Sequence, residues 1–537
     1  MESMIRHTAH VDTFARDRLP PPEQWPRLHF DLPELNYPER LNCATVLLDD
    51  AIAEGAGERP AILAEAGNIS YRELLARANR IANVLVATGV VPGNRVLLRG
   101  FNGPELFACW LAGMKVGAIA VTTMPMLRAP ELTAIIGKGQ PSIALCDHRL
   151  LEELRAAVAA TGSVGTIVGW GDGDLEGRMA QASDRYTNVD TAADDVCLLA
   201  FTSGTTGQPK ACAHFHRDVL AMADVVARHL LHTQPDDVYA GSPPIGFTFG
   251  LGALLVFPLR FRAAVAPVEA PTPAALLATI ERQRVTCLFT APFAYRALLA
   301  ELAGCDLRSL RQCVSAGEFL PKAVSDAWHE HTGIRIIDGI GATEMIHIFI
   351  SASGDAIRPG ATGKPLPGYQ ACVLDEEGKP SPPGSTGRLA VTGPTGCRYL
   401  DDERQREYVQ RGWNMTGDLY RVDEDGYFWF VSRADDMIVS AGYNIAGPEV
   451  EWALLAHPAV CECAVVGAPD PGRGTVVKAF IVLQPGRAPD AALVRELQDF
   501  VKQRIAPYKY PRLVEFLDAL PKTPTGKLQR RILRRSA

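Results

Sequence analysis

Hydrophobic positions recur with the spacing of amphipathic helices along most of the chain. The segment after Ser70 places its apolar residues on one helical face, namely Leu74, Leu75, Ala78, Ile81, Ala82 and Leu85. Glu73 occupies the capping-box position of this predicted helix, and Gly89 marks its end. A second helix is predicted to begin at Pro104, because proline is favoured in the first helical turn.

Short apolar runs of strand length stand between the predicted helices, at 95–100, 118–125, 285–292, 311–317 and 335–341. This alternation predicts parallel α/β sheets that are covered by helices. The most apolar stretch, 245–259, is interrupted by glycines and is shorter than the roughly 20 residues that span a bilayer. We therefore assign it to the core.

The pattern changes after about residue 360, where strands are separated by bends rich in proline and glycine. This indicates a smaller β-rich subdomain. Beyond residue 433 the order helix, strand, strand, helix predicts a compact α+β unit. The predicted fold is α/β, with a large N-terminal domain over 1–433 and a small α+β C-terminal domain over 434–537.

Composition narrows the class of protein. The 537 residues carry a net charge of −7, which gives no reason to expect nucleic acid or an anionic membrane as partner. The N-terminus lacks the apolar core of a secretory signal, and the twelve cysteines include no CxxC pair. We expect a cytoplasmic protein without stable membrane insertion, and a homodimer stays open. The basic ending, 529–535, is interpreted as a solvated helix face.

The run FTSGTTGQPK, 201–210, follows an apolar strand and has the composition of an anion-binding loop. Small residues leave backbone N–H groups free to converge on a phosphate, while hydroxyl groups and a lysine add donors and charge. The spacing does not fit the Walker arrangement. The predicted phosphate contacts are Thr202, Ser203, Gly204, Thr205, Thr206, Gly207 and Lys210.

Five further motifs follow in a fixed order: SAGEFL at 315–320, GIGATE at 339–344, TGD at 416–418, SRADDMI at 432–438 and PKTPTGK at 521–527. With the 201–210 loop, they resemble the acyl-adenylate-forming superfamily of acyl-CoA synthetases, adenylation domains and firefly luciferases. The resemblance implies that a carboxylic acid attacks the α-phosphorus of ATP, and that CoA then displaces AMP. It also implies Mg²⁺ and a mobile C-terminal domain.

The resemblance also implies roles for individual residues. Lys527 is the expected catalytic lysine of acyl-adenylate formation, assisted by Lys210, Thr343 and Glu344, and Glu344 is the expected magnesium ligand. The two carboxylate oxygens of Asp418 suit the ribose hydroxyls. The remaining expected nucleotide contacts are Gly317, Glu318, Phe319, Asp338, Gly339 and Arg433.

The second half-reaction is expected to use a different face of the C-terminal domain. Asp435 occupies the hinge position of the family, and its neighbour Asp436 is interpreted as a solvated residue. Rotation at this hinge would withdraw Lys527. It would then present Ser440, Ala441, Gly442 and Tyr443 to CoA.

The acid substrate is predicted from two segments, 242–252 and 339–349, which resemble those of benzoate:CoA and 2-aminobenzoate:CoA ligases. The comparison places six residues around the ring: Phe247, Thr248, Phe249, Gly341, His347 and Ile348. An ortho amino group could hydrogen-bond to Thr248 or His347. The chain departs from benzoate-type enzymes at Phe249 and Ala342, where those usually carry tyrosine and serine.

Three alternatives stay open. A medium-chain fatty acid:CoA ligase would share every nucleotide motif. A stand-alone adenylation enzyme that loads a carrier protein would usually need an aspartate for an amino-acid substrate, and the segment 238–246 offers none after its tyrosine. A non-enzymatic ATP-binding regulator would have no use for the motif around Lys527.

Overall fold

The computed structural model describes residues 7–202, 209–318, 320–440, 443–470, 474–523 and 528–537, without the side chains at 435, 439, 443 and 444. The described residues form two large sheets, a smaller antiparallel sheet, a two-stranded hairpin and a three-stranded C-terminal sheet. This arrangement confirms the predicted α/β class with a large N-terminal and a small C-terminal part.

Sheet A has six strands. Their order across the sheet is Thr166–Trp170, Ile143–Asp147, Arg95–Arg99, Ile119–Thr123, Val196–Thr202 and Lys210–Phe215. The first five strands are parallel, and the sixth pairs antiparallel with the fifth. The last two strands therefore form a hairpin whose tip is the predicted phosphate loop.

Sheet B has nine strands with a parallel centre. Their order is Lys364–Pro365, Ile348–Ser351, Ile336–Gly341, Gln312–Ala316, Cys287–Thr290, Val238–Gly241, Ala264–Val265, Pro60–Ala64 and Gly67–Ser70. The strands at both edges are antiparallel to their neighbours. Glycine and polar residues follow the carboxyl ends of the central strands, where ligand sites of parallel sheets lie.

Sheet C is the predicted β-rich subdomain. It consists of Gln370–Leu374, Thr386–Thr392, Trp413–Val422, Val409–Gln410 and Phe428–Arg433, all antiparallel. The C-terminal part contains the hairpin Met437–Ser440 with Tyr443–Ala446, and a three-stranded sheet of Val460–Asp470, Gly474–Leu483 and Leu513–Phe516.

Helices cover both large sheets and the C-terminal sheet. The α-helices are Asp50–Ala53, Tyr71–Ala87, Pro104–Lys115, Ala129–Gly139, Leu151–Thr161, Asp174–Gln181, His216–Met222, Thr248–Leu251, Phe257–Arg260, Pro273–Gln283, Pro292–Leu299, Lys322–Thr332, Gln405–Tyr408, Gly447–Leu455, Ala491–Arg504 and Arg530–Arg535. π-Helical segments occur at Thr45–Asp49, Ala223–Leu230 and Gly252–Val256. Short 3₁₀ turns include Thr343–Met345 and Ala434–Asp436.

The helix Tyr71–Ala87 shows how local signals fix an element. The Ser70 side chain accepts a hydrogen bond from the Glu73 backbone, and the Glu73 carboxylate accepts one from the Ser70 backbone. This reciprocal cap satisfies two donors that a helix start otherwise leaves free. The predicted apolar face, Leu74 and Ala78 among its residues, is buried in the main core.

The stretch 245–259 forms short helical turns that are buried almost completely, as predicted for core. In the part of the chain that the structure describes, no helix is both long enough and apolar enough to cross a membrane. The boundary at 433/434 stays a prediction.

Two expectations about the C-terminal part were wrong. Asp436 is not solvated, because its carboxylate pairs with Arg534 and lies 3.8 Å from Arg530. The basic ending is not simply a solvated face either, because Arg530 also contacts both oxygens of Glu451 at 2.7 Å. These ion pairs attach the last helix to the segment that follows the predicted hinge.

Candidate active site

The last strand of sheet A contacts the turn that follows a parallel strand of sheet B. His214, in the last strand of sheet A, is fully buried, and its Nε2 donates a hydrogen bond to the Thr343 carbonyl at 2.8 Å. Thr343 begins the turn that follows the strand Ile336–Gly341 of sheet B. This contact joins the last strand of sheet A to the GIGATE motif of sheet B.

A tyrosine joins the two predicted catalytic groups. Residues 398–400 run beside the strand Lys210–Phe215, and the Leu400 N–H donates to the Ala211 carbonyl at 2.9 Å. Tyr399 thereby lies between Lys210 and Glu344. Lys210 Nζ is 3.0 Å from the Tyr399 hydroxyl, which donates to Glu344 Oε1.

The same tyrosine presents its ring to the lysine, whose Nζ is 4.8 Å from the ring centroid. Burial, followed by the charge of Glu344, raises the pKa of Tyr399 well above its ordinary value. The phenol therefore stays protonated and acts as the donor to the carboxylate. Lys210, Tyr399 and Glu344 form a connected chain of one cation, one hydroxyl and one anion, which we call the Lys210 chain.

The residue before Tyr399, Arg398, belongs to a buried ion pair. Arg398 Nη1 is 2.8 Å from Asp218 Oδ2, and neither side chain is exposed to solvent. Burial alone would raise the pKa of Asp218. The positive charge of Arg398 stabilises the carboxylate and outweighs burial, so the pKa is lowered to about 2. Asp218 is therefore ionised, and its carboxylate lies 3.9 Å from His214 Nδ1.

The TGD motif lies inside the long strand Trp413–Val422 of sheet C, not in a turn between elements. Arg433 Nη1 is 3.0 Å from Asp418 Oδ1, and the two residues are paired across neighbouring strands. Gly417 has φ +78°, and a Cβ there would lie 2.9 Å from Arg433 Nη2. Only glycine leaves room for this arginine beside Asp418.

Four other expected nucleotide contacts lie within or directly after two neighbouring strands of sheet B. Gly317 has φ +94° directly after the strand Gln312–Ala316, and Glu318 Oε1 accepts a hydrogen bond from the Phe293 backbone at 3.2 Å. Asp338 and Gly339 lie within the strand Ile336–Gly341. Burial raises the pKa of Asp338 to about 7.

The GIGATE motif makes the chain reverse direction tightly. A Cβ on Gly341 would lie 2.9 Å from the His347 carbonyl group, and one on Gly339 would lie 2.8 Å from Ile348. Ile346 has φ +64°, a conformation that costs a β-branched residue about 1–3 kcal/mol. The reversal takes the chain from Glu344 into the buried strand Ile348–Ser351 within four residues.

The predicted acid-binding residues form a buried aromatic cluster. The His347 ring centroid lies 5.5 Å from that of Phe249 and 4.7 Å from that of Phe257. Phe289 packs against Phe249 at 5.5 Å. Thr248, Phe249, His347 and Ile348 are buried, whereas Phe247 is partly exposed. Phe257 and Phe289 were not among the predicted residues.

His347 is a neutral imidazole in this cluster, because burial lowers its pKa to about 3. Its Nε2 lies 3.3 Å from the Phe249 carbonyl oxygen, which can only accept. The proton must therefore be on Nε2, and Nδ1 carries the lone pair. Among the described residues, this buried Nδ1 has no hydrogen-bond partner.

Known families match the chain in two blocks. The family described as AMP-binding enzyme matches residues 49–398, and its C-terminal domain matches residues 449–527. The chain belongs to the AMP-binding enzyme family. The predicted class, an AMP-forming acid:CoA ligase, is confirmed at this level.

Similar AMP-binding enzymes include benzoate–CoA ligase of Thauera aromatica, which is 36% identical over 514 residues, 94% of this chain and 97% of that protein. Mitochondrial acyl-coenzyme A synthetase ACSM3 of Mus musculus is 35% identical over 532 residues, 94% and 91% of the two chains. A crystal structure of the anthranilate CoA ligase AuaEII with anthranoyl-AMP has a TM-score of 0.90 at 35% identity, covering 94% of this chain and 99% of that one. The predicted resemblance to this group of ligases is confirmed.

Several predicted residues of this AMP-binding enzyme lie outside the described part of the chain: Ser203, Gly204, Thr205, Thr206, Gly207, Phe319, Ala441, Gly442 and Lys527. The side chains of Asp435 and Tyr443 are likewise not described. The backbone of Asp435 lies in the turn Ala434–Asp436, and Ser440 is buried at the end of its strand. Their proposed roles stay predictions.

One acidic residue connects the segment before Lys527 to the N-terminal part. Glu462, in the strand Val460–Asp470, lies 2.7 Å from Arg296 of the helix Pro292–Leu299. It also lies 2.8 Å from Lys522, five residues before Lys527. Glu462 therefore links the start of the PKTPTGK segment, through Lys522, to the helix Pro292–Leu299 of the N-terminal part.

Sequence reasoning missed Tyr399, His214, Asp218 and Arg398. Each comes from a segment with no composition typical of a ligand site, and each is defined by partners 55 to 189 positions away along the chain. The one available signal was the charge of Asp218 and Arg398 within otherwise apolar segments, since buried charges are usually paired.

Proposed function

We propose that the protein is an ATP-dependent ligase that joins an aromatic carboxylic acid, most favourably 2-aminobenzoate or benzoate, to CoA through an acyl-AMP intermediate. The observation that carries this proposal is the sharp change of environment between Glu344 and His347. Only two residues separate a carboxylate in the Lys210 chain from a neutral imidazole among phenylalanines.

In the first half-reaction, the acid carboxylate attacks the α-phosphorus and pyrophosphate leaves. Both reactants are anions, so positive charge and hydrogen-bond donors must oppose their repulsion. Lys210 is the described cation at the hairpin tip and would bind the leaving phosphates. Lys527 would bridge the carboxylate and the α-phosphate.

Glu344 fits the role of magnesium ligand. It is an acidic side chain, 9% exposed, and the Tyr399 hydroxyl donates to only one of its two oxygens in the contacts that the structure gives. Mg²⁺ prefers such oxygen donors and is often held by one carboxylate together with phosphates. When bound there, the ion would supply charge neutralisation for the phosphates.

Asp418 would bind the ribose hydroxyls, with Arg433 holding one carboxylate oxygen in place at 3.0 Å. After adenylation, rotation at Asp435 would move the C-terminal domain and bring Ser440 to Tyr443 towards CoA. The thiol of CoA then attacks the acyl carbon, and AMP leaves with the bonding electron pair. The domains proposed for these steps are 1–433 and 434–537.

The aromatic cluster supports a flat acid. The Nδ1 of His347 is a buried acceptor without a described partner, and an unsatisfied buried acceptor costs about 1–3 kcal/mol. An ortho amino group on the substrate has the N–H donor that this atom lacks. Two of the similar proteins support an aryl acid, since one is named for benzoate and one was solved with anthranoyl-AMP.

A panel of acids tests the proposal. Purified protein with ATP, Mg²⁺ and CoA is given benzoate, 2-aminobenzoate, 2-fluorobenzoate or hexanoate, and AMP release is followed to obtain kcat/KM. We expect both benzoate and 2-aminobenzoate to exceed hexanoate at least tenfold. Hexanoate turnover above that of every aryl acid would instead support the medium-chain fatty acid:CoA ligase.

His347 is tested by comparing two acids in one variant. In His347→Ala, kcat/KM for 2-aminobenzoate should fall about 5- to 30-fold more than that for benzoate, the loss expected for one hydrogen bond to a buried acceptor. Damage from the cavity affects both acids and cancels in the ratio. Thr248→Val is the matched control with nearly the same shape. If only this variant loses kcat/KM selectively for 2-aminobenzoate, the amino group contacts Thr248 and not His347.

A further inference from the structure

A buried cluster of two thiols and an imidazole lies apart from the Lys210 chain. It contains Cys43, Cys197 and His216, each with no solvent exposure. One ligand atom from each residue lies within 4.8 Å of the others. Within the described residues, this is the one group of three or more such side chains close enough to hold an ion.

Three different segments bring these residues together. Cys197 lies at an irregularity of the strand Val196–Thr202, where the pairing register with the next strand shifts. His216 follows the end of that next strand, Lys210–Phe215, and starts a helix. The pair therefore lies at the base of the hairpin whose tip is the phosphate loop, about 20 Å from Lys210 at the usual rise of a strand.

The third residue, Cys43, is held in place by its neighbours. The Asn42 side chain donates to the carbonyls of Met114 at 2.8 Å and Val189 at 3.1 Å, and its oxygen accepts from the Ala44 N–H. The Leu41 carbonyl accepts from the Thr191 hydroxyl at 2.7 Å. These bonds fix the backbone on both sides of Cys43 without involving the thiol.

Nδ1 is the unprotonated ring nitrogen of His216, because it accepts a hydrogen bond from the Cys43 N–H at 3.2 Å. An ion bound at Nδ1 would take the lone pair that now accepts this hydrogen bond. The same Nδ1 is 3.2 Å from Cys43 Sγ. A tetrahedral zinc with ordinary bond lengths separates a nitrogen and a sulfur ligand by about 3.5 Å, only a few tenths of an ångström more.

We propose that Cys43, Cys197 and His216 form a structural site for a thiophilic divalent ion, Zn²⁺ or its analogue Cd²⁺, which fastens the base of the phosphate-loop hairpin to the N-terminal segment. On binding, each thiol loses its proton to solvent, and the two thiolates balance the charge of the ion in the buried site. The described residues supply three ligands, so a water would have to complete the tetrahedron, as it does in zinc sites with three protein ligands.

Metal content tests this site in the full chain. The protein is expressed in zinc-supplemented medium, purified with a non-thiol reductant, and its zinc is measured by mass spectrometry. We expect about one zinc per chain in the wild type and at least tenfold less in Cys43→Ser and His216→Asn. Cys397→Ser is the matched control, because Cys397 lies beside Cys212 in a buried thiol pair that lacks a histidine.

A second measurement needs no variant. Protein expressed with Cd²⁺ should show a thiolate-to-metal charge-transfer band, and its Tm should exceed that of the metal-free protein. A wild type that carries no more zinc than Cys43→Ser, and shows no such band with Cd²⁺, would overturn the proposal. So would a Cys43–Cys197 disulfide, found by peptide mapping of the protein as purified without reductant, in place of the metal.

Discussion

The two sides of the candidate active site are built on opposite principles. The phosphate side is a chain of charges and hydroxyls, in which Lys210, Tyr399 and Glu344 contact one another over a buried ion pair. The acid side consists of phenylalanines around His347. Burial among them lowers the pKa of His347 to about 3. One side holds charge in position, and the other excludes it.

The difference separates two functions that a ligase of this kind must combine. Activation of a carboxylate requires the same charge neutralisation whichever acid is bound, so the phosphate side is expected to act on all acids alike. Selection among acids depends on shape and on a few hydrogen bonds, which only the acid side supplies. Mutations on the two sides should therefore have different signatures.

The largest effect is expected from the ion pair beneath the phosphate side. Arg398→Met leaves Asp218 buried without its partner, which should lower the free energy of unfolding by about 3–5 kcal/mol. Urea denaturation followed by near-ultraviolet circular dichroism measures this change. The double variant Asp218→Asn with Arg398→Met should recover most of the loss, because no uncompensated charge remains. A loss below about 1 kcal/mol in the single variant would mean that the pair does not support the site.

Glu344→Gln should have the next largest effect. The change keeps the shape of the side chain and removes its charge, so adenylate formation should slow by about 10²- to 10³-fold. Single-turnover release of pyrophosphate measures that step. Tyr399→Phe is the milder companion variant, and loss of the two hydrogen bonds of its hydroxyl, to Lys210 and Glu344, should slow the step about 5- to 30-fold. If Glu344→Gln forms the adenylate at the wild-type rate, the carboxylate of Glu344 has no role in that step.

The smallest effect concerns the acid side and appears as pH dependence. The folded pKa of His347 is about 3, below the ordinary value of 6.5, so the unfolded chain binds a proton that the folded protein excludes. Stability from this group is complete above pH 6.5 and is lost as pH falls. Between pH 7 and pH 5 the loss should be about 2 kcal/mol.

The measurement is the difference in unfolding free energy between wild type and His347→Asn at each pH, because other titrating groups cancel in that difference. The variant should lose about 2 kcal/mol less than the wild type on acidification. Parallel pH curves for the two proteins would show that His347 carries a proton in the folded state at pH 5.

Local signals in the sequence were enough for the elements and for the motifs. The capped helix Tyr71–Ala87 and the helix that starts at Pro104 depend on contacts within a few residues, so their sequences predict them. Gly339 and Gly341 belong to a recognisable motif, although their steric reason emerged only with the strand that packs against them.

Features that depend on distant segments could not be predicted. Tyr399 is positioned by its backbone pairing with the strand Lys210–Phe215, which lies almost two hundred positions earlier in the chain. The hydrophobic periodicity of the sequence does not predict that pairing. Asp418 was recognised from its motif, but the motif does not show that it lies inside a long strand in which Gly417 has a positive φ. Asp436 was predicted to be solvated, because the sequence around it does not show the arginines that pair with it nearly a hundred residues later.

The most direct test of the account compares how each variant discriminates between acids. Acid-dependent pyrophosphate release from ATP is measured without CoA for 2-aminobenzoate, benzoate and hexanoate, in the wild type, Glu344→Gln and His347→Ala. We predict that the ratio of the 2-aminobenzoate rate to the benzoate rate stays within about twofold of wild type in Glu344→Gln, and falls at least fivefold in His347→Ala. The account is contradicted if the wild type releases no pyrophosphate with any aryl acid, or if both variants change the ratio equally.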